Sequence, residues 1–107
     1  MIFNWLDTKD VDALADRVSR NLFQRLPPAA LETEGKKAEA KRRKTYEEVL
    51  LEARGFSREH KLNVYKKARL ANRFKWALIE AGYPSEFVNE MTYELAAVVA
   101  SASSRTA

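Results

Sequence analysis

Two groups of residues have types and spacing suited to binding anions. Tyr65, Arg69, Arg73 and Trp76 recur every three or four positions. At about 100° per residue they fall on one helical stripe about 80° wide, with Lys66 beside it. Guanidinium groups grip phosphate through paired hydrogen bonds, and aromatic rings stack on exposed bases. The same spacing also serves packing, with rings in a core or interface and arginines reaching outward or resting on them. The second group is Lys36, Lys37, Lys41, Arg42, Arg43 and Lys44. Cations in such a run neutralise phosphates and gain affinity by counterion release. Their plain alternative is a solvated helix face with Glu39–Arg43, Arg43–Glu47 and Lys44–Glu48 pairs four residues apart. The charge order of this segment opposes the helix dipole, with cations first and Glu47, Glu48 and Glu52 last. A helix beginning near Ala29 would relieve that conflict by placing Glu32 and Glu34 in its first turns.

Catalytic chemistry finds little support. The chain has no cysteine, so disulfides, thiolate metal sites and cysteine nucleophiles are excluded. His60 is the only histidine and lacks the spacing partners that a metal site or an acid–base pair requires. Ser101, Ser103 and Ser104 have nothing nearby to activate them. There is no nucleophile elbow, phosphate-binding glycine loop or dinucleotide fingerprint. The expectation is a non-enzymatic protein with no cofactor, no metal and no small-molecule substrate.

The elements that must position these residues read as helices. Glycine and proline number three each, too few for a many-turned β chain. The first helix begins at Asp7 as N-cap and buries Val11, Leu14, Ala15, Val18, Leu22 and Leu26 on one stripe. Leu6 and Val11 have staple spacing across its start, and Pro27-Pro28 stops it. After a connection over 27–36, a second helix runs to Arg54 and ends at Gly55. Ser57 then caps a third helix that ends at Gly82, and Pro84-Ser85 opens a fourth with Phe87, Val88, Met91, Leu95, Val98 and Val99 on one face. The predicted fold is all-α, a small antiparallel four-helix bundle with helices near 7–26, 36–54, 58–81 and 85–101. It forms one domain over 1–100, with 101–107 as a small polar tail that frays.

Gly55-Phe56-Ser57 resembles the turn of a helix-turn-helix, but Leu51, Arg54 and Lys61 occupy positions that motif reserves for small or apolar residues. The apolar start, with Ile2, Phe3, Trp5 and Leu6, is expected to close one end of the bundle, as the Leu6–Val11 staple implies, and Asp7, Asp10 and Asp12 would be repelled by anionic lipid. It lacks the basic region of a signal peptide, and no apolar run approaches the roughly 18 residues of a membrane span. A cytoplasmic protein with no membrane partner is the default.

Charge is segregated along the chain. Residues 1–35 carry four basic and six acidic groups, 36–75 fourteen and five, and 76–107 one and four. The third helix is apolar on more than one side: Val64, Leu70, Ala71, Phe74 and Leu78 share a face, while Tyr65, Ala68, Trp76 and Ile79 lie elsewhere. These features give two functional expectations. The first is a protein-interaction or self-assembly module, possible as a homodimer, with Tyr65, Phe74, Trp76 and Ile79 as its surface. The second is a nucleic-acid-binding accessory that sets the basic 36–75 segment against phosphates through Lys37, Lys41, Arg42, Arg43, Lys44, Lys66, Arg69 and Arg73.

Overall fold

Val11, Leu14, Ala15, Val18 and Leu22 recur at three- and four-residue intervals, and all five are completely buried. That stripe makes Lys9–Arg25 a helix, α1. The structure, a computed structural model, describes residues 7–104. In it α1 is followed by α2 (Lys36–His60), α3 (Val64–Ala81) and α4 (Ser85–Ser104), with one short 3-10 helix at Pro28–Glu32 and no strand among the described residues. The fold is a small all-α four-helix bundle.

The ends of the helices show where local signals compete. The N-cap of α1 is Thr8 rather than Asp7, whose carboxylate instead accepts from the Lys9 N–H at 3.0 Å. Leu6 and its expected staple to Val11 lie outside the described residues, as do Ile2, Phe3 and Trp5. Pro27 ends α1, and Ala30 and Leu31 of the 3-10 turn pack against the core.

The largest departure is at Gly55. Its φ is not positive and α2 passes straight through it. A mid-helix glycine costs about 1 kcal/mol relative to alanine, but Ala53 and Ser57 on either side are fully buried and hold the helix in place. The Ser57 hydroxyl donates to the Ala53 carbonyl at 2.9 Å, so it is satisfied within the helix and caps nothing. The chain turns at Lys61, in the left-handed region with φ 46°, and the following Leu62 is buried. Asn63 caps α3, its Oδ1 accepting from the Lys66 N–H at 2.8 Å. The helix-turn-helix resemblance at 55–57 is thereby removed. At its other end α3 closes on left-handed Gly82, where the Gly82 N–H donates to the Ile79 carbonyl and the Tyr83 N–H to that of Leu78, as in a Schellman ending.

Val64, expected on the buried face of α3, is 79% exposed, although Lys66 in the same turn reaches Asp10 of α1. The helix α4 continues to Ser104, and Ala102 is fully buried, so the expected tail is helical over its first four residues. Residues 105–107 lie outside the described residues.

Consecutive helices alternate in direction, but their neighbours in space differ from those of a simple up-and-down ring. The contacts join α1 to α3, α3 to α4, α4 to α2 and α2 to α1, while consecutive α2 and α3 barely touch. Ion pairs Asp10–Lys66, Asp12–Arg69 and Asp16–Arg73 advance together, so α1 and α3 are parallel. Arg17–Glu52 and Arg25–Glu48 advance oppositely, so α1 and α2 are antiparallel. The bundle is therefore two helical hairpins laid face to face, and the 61–63 link crosses between them instead of closing a third hairpin. An aromatic series seals the end where α1 and α3 finish. Phe23 meets Tyr83 edge-on, Tyr83 stacks on Phe87 at 4.8 Å, and Phe87 reaches Tyr46. The Tyr83 hydroxyl donates to the Leu26 carbonyl at 2.6 Å.

Two outcomes follow from these features. Gly55→Ala meets open space and a helical backbone, and is expected to raise unfolding stability by about 1 kcal/mol; a loss in urea melts would show that a helix ends there. Tyr83→Phe orphans the Leu26 carbonyl and is expected to cost about 1–2 kcal/mol. Burial pushes the Tyr83 hydroxyl up to about 12. The folded protein thus keeps a proton that the unfolded chain releases above about 10. This contribution is fully present below pH 10 and is lost as pH rises towards 12, a decline expected to be shallower in the Phe variant.

Candidate interaction surface and basic segment

The structure divides the expected phosphate-binding residues into two groups. On α3, Arg69 faces α1 and donates twice to the Asp12 carboxylate, at 2.9 and 3.2 Å. Arg73 grips Asp16 in the same way, at 3.0 and 3.1 Å, and Lys66 reaches Asp10 at 3.3 Å. These three cations are committed to the bundle's own carboxylates. The Arg69 hydrogen bonds hold the Asp12 carboxyl below the usual carboxylate range against the opposing effect of burial, with help from the Thr8 hydroxyl and the Arg69 and Arg73 charges. The guanidinium groups of Arg69 and Arg73 are raised in turn, chiefly by their hydrogen bonds to Asp12 and Asp16. Lys66, Arg69 and Arg73 thus line the α1–α3 seam, each facing a carboxylate.

On α2 the situation is reversed. Lys37, Lys41, Arg43 and Lys44 are exposed and form no ion pair among the described residues. None of the expected Glu39–Arg43, Arg43–Glu47 and Lys44–Glu48 pairs forms, and Glu48 turns instead to Arg25 across the α1–α2 seam, where Glu52 also meets Arg17. Arg42 is half-buried and donates to the Thr33 carbonyl at 2.8 Å, tying the start of α2 to the incoming connection. Glu48 stands beside Arg25, the last residue of α1, and Tyr46 beside Phe87, near the start of α4. The turns from Lys36 to Lys44 consequently overhang both neighbours, and Thr45, the first fully buried residue of α2, marks where packing begins.

The expected interaction surface is brought together in part. Tyr65, Trp76 and Ile79 are 45%, 56% and 41% exposed, all on the outer face of α3. Phe74 is completely buried and is not part of that surface. Its position four residues after Leu70 and four before Leu78 puts it on the core stripe, a signal already present in the spacing. Sequence reasoning left out Asn72, which lies with Ala68 and Tyr65 on the outer face and is exposed. It also left out exposed Leu51 and Tyr93, and an open groove of about 460 Å³ where Leu50, Leu51 and Val98 meet Lys44, Glu47 and Arg54. His60 stacks on Phe56 with ring centres 3.9 Å apart, and no group of three metal-ligating side chains occurs among the described residues. None of the described helices is long and apolar enough to cross a membrane.

Asp12→Asn is expected to lower stability near neutral pH by loosening Arg69. Because the folded carboxyl sits below its ordinary value, its contribution is present above about pH 4 and is lost as pH falls further. Chemical melts at several acidic pH values should therefore fall more steeply for the native chain than for this variant. Parallel slopes would show that the Asp12–Arg69 pair does not set that dependence. Comparison with known proteins gave no match to a protein-family model, a curated protein or a solved structure.

Proposed function

We propose that this protein is a non-enzymatic self-assembly module that pairs through the outer face of α3. The observation that carries this reading is the order of residues on that face: Tyr65, Ala68, Asn72, Trp76 and Ile79, with spacings of three, four, four and three. The order is symmetric about Asn72. An antiparallel second copy centred there sets Tyr65 opposite Ile79, Trp76 opposite Ala68, and Asn72 opposite itself. Each large side chain meets a smaller one or the gap beside it, as ridges packing into grooves require. A pair of facing amides hydrogen-bonds across the axis and rejects shifted registers, which would leave both without partners. A closed two-fold dimer needs a self-complementary patch of this kind. The core is filled by Leu70, Phe74 and Leu78 on the opposite side, and the outer face stays partly exposed in the single chain.

The stripe spans about 21 Å of helix, a small interface that favours reversible association. The solution mass is expected to rise with concentration and approach a dimer at about 100 μM, where micromolar affinity saturates. Trp76→Ala and Ala68→Arg should each leave a monomer with unchanged helicity, while Tyr93→Ala on exposed α4 should still dimerise. A native chain that stays monomeric at that concentration, or a dimer indifferent to both α3 substitutions, removes the proposal.

A further inference from the structure

We infer that the overhanging first turns of α2 are a docking arm for double-stranded DNA. Between Lys36 and Lys44 the helix carries six cations and a single carboxylate, Glu39. Nine residues extend about 13 Å beyond the level at which α1 ends and α4 begins; the incoming connection lies along the side of Arg42, and the other side chains except half-buried Ala38 are exposed. A helix with its side chains is about 10–12 Å across, so the exposed face opposite Ala38 and Arg42 has the width to face the roughly 12 Å major groove of B-DNA. On α3, by contrast, Lys66, Arg69 and Arg73 lie against α1 and pair with its carboxylates.

The arrangement of charge favours a polyanion over solvent. Lys37, Lys41 and Lys44 lie on one stripe about 60° wide, with Lys36 and Arg43 on an adjoining one, so that cations can meet the phosphates flanking a groove. They also stand at the positive end of the helix dipole, which their own charge opposes, and the N-cap is Gly35, with no side chain to receive the first N–H groups. An incoming phosphate answers both conflicts, as anions do at helix starts. Arg42, bonded to the Thr33 carbonyl, steadies the root of the arm. Lysine contacts to phosphate supply affinity with little choice of base sequence. This site and the α3 face lie on different helices, so each stands or falls alone.

The test uses the full chain, a mixed-sequence DNA duplex of about 20 base pairs and fluorescence anisotropy across a salt series. Binding is expected, with log K falling against log salt by about 0.9 for each phosphate neutralised. Combined Lys37→Glu, Lys41→Glu and Lys44→Glu should weaken it about 100-fold or more and make the slope shallower by about three. A control carrying Lys9→Glu, Arg20→Glu and Arg58→Glu has the same net charge and should bind within a few-fold of the native chain. Circular dichroism on both variants confirms that the helices remain. Equal loss in the two variants would assign binding to net charge and overturn the arm. So would no duplex binding at low salt, preference for single strands, or binding to anionic lipid vesicles alone.

Discussion

The register between α1 and α3 organises the rest of this bundle. Its stability comes from the buried seam, where Val11, Leu14, Val18 and Leu22 lie with Leu70, Phe74 and Leu78 in one closed core. Apolar burial has little direction, so it does not by itself decide whether two helices run parallel or how far one slides along the other. The ladder of Asp10–Lys66, Asp12–Arg69 and Asp16–Arg73 adds directed contacts along the edge of that seam. Partly exposed ion pairs contribute little energy, but in the observed register Arg69 and Arg73 each meet one carboxylate through two hydrogen bonds. Three arginine- and lysine-bearing turns thereby acquire a structural role.

That commitment decides which surfaces remain. With Lys66, Arg69 and Arg73 turned towards α1 and its leucines and Phe74 towards the core, α3 presents Tyr65, Ala68, Asn72, Trp76 and Ile79 outward. The acidic residues near the start of the chain are occupied, and so are Glu48 and Glu52 of α2, which answer Arg25 and Arg17. The lysines at the start of α2 therefore keep their charge uncompensated. Their exposure is a consequence of length: α2 has 25 residues against 17 in α1, and its surplus extends past the aromatic end formed by Phe23, Tyr83, Phe87 and Tyr46. A helix that ended at Gly55 would be shorter at its other end, but its basic start would still overhang.

The helical character of the chain, the number of helices and most of the core residues are legible in the sequence, because a buried stripe must repeat at the helical period whatever it packs against. Proline and left-handed glycine also act locally, which is why the stop at Pro27 and the ending at Gly82 are readable. Gly55 was not, since a glycine codes equally for a helix end and for a tolerated interior position. The burial of Ala53, Ser57 and Leu62 decides between the two, and burial is a property of the neighbours. The same holds for the basic residues. Spacing places Lys66, Arg69 and Arg73 on the same helix as Trp76, but only the parallel packing of α1 brings carboxylates to them. Charges pair through space, and local periodicity carries no information about which distant segment lies within reach. The sequence alone thus determined what kind of elements form and which faces are apolar, whereas tertiary structure decided which cations are consumed, which aromatics are left outside, and that one helix outruns its neighbours.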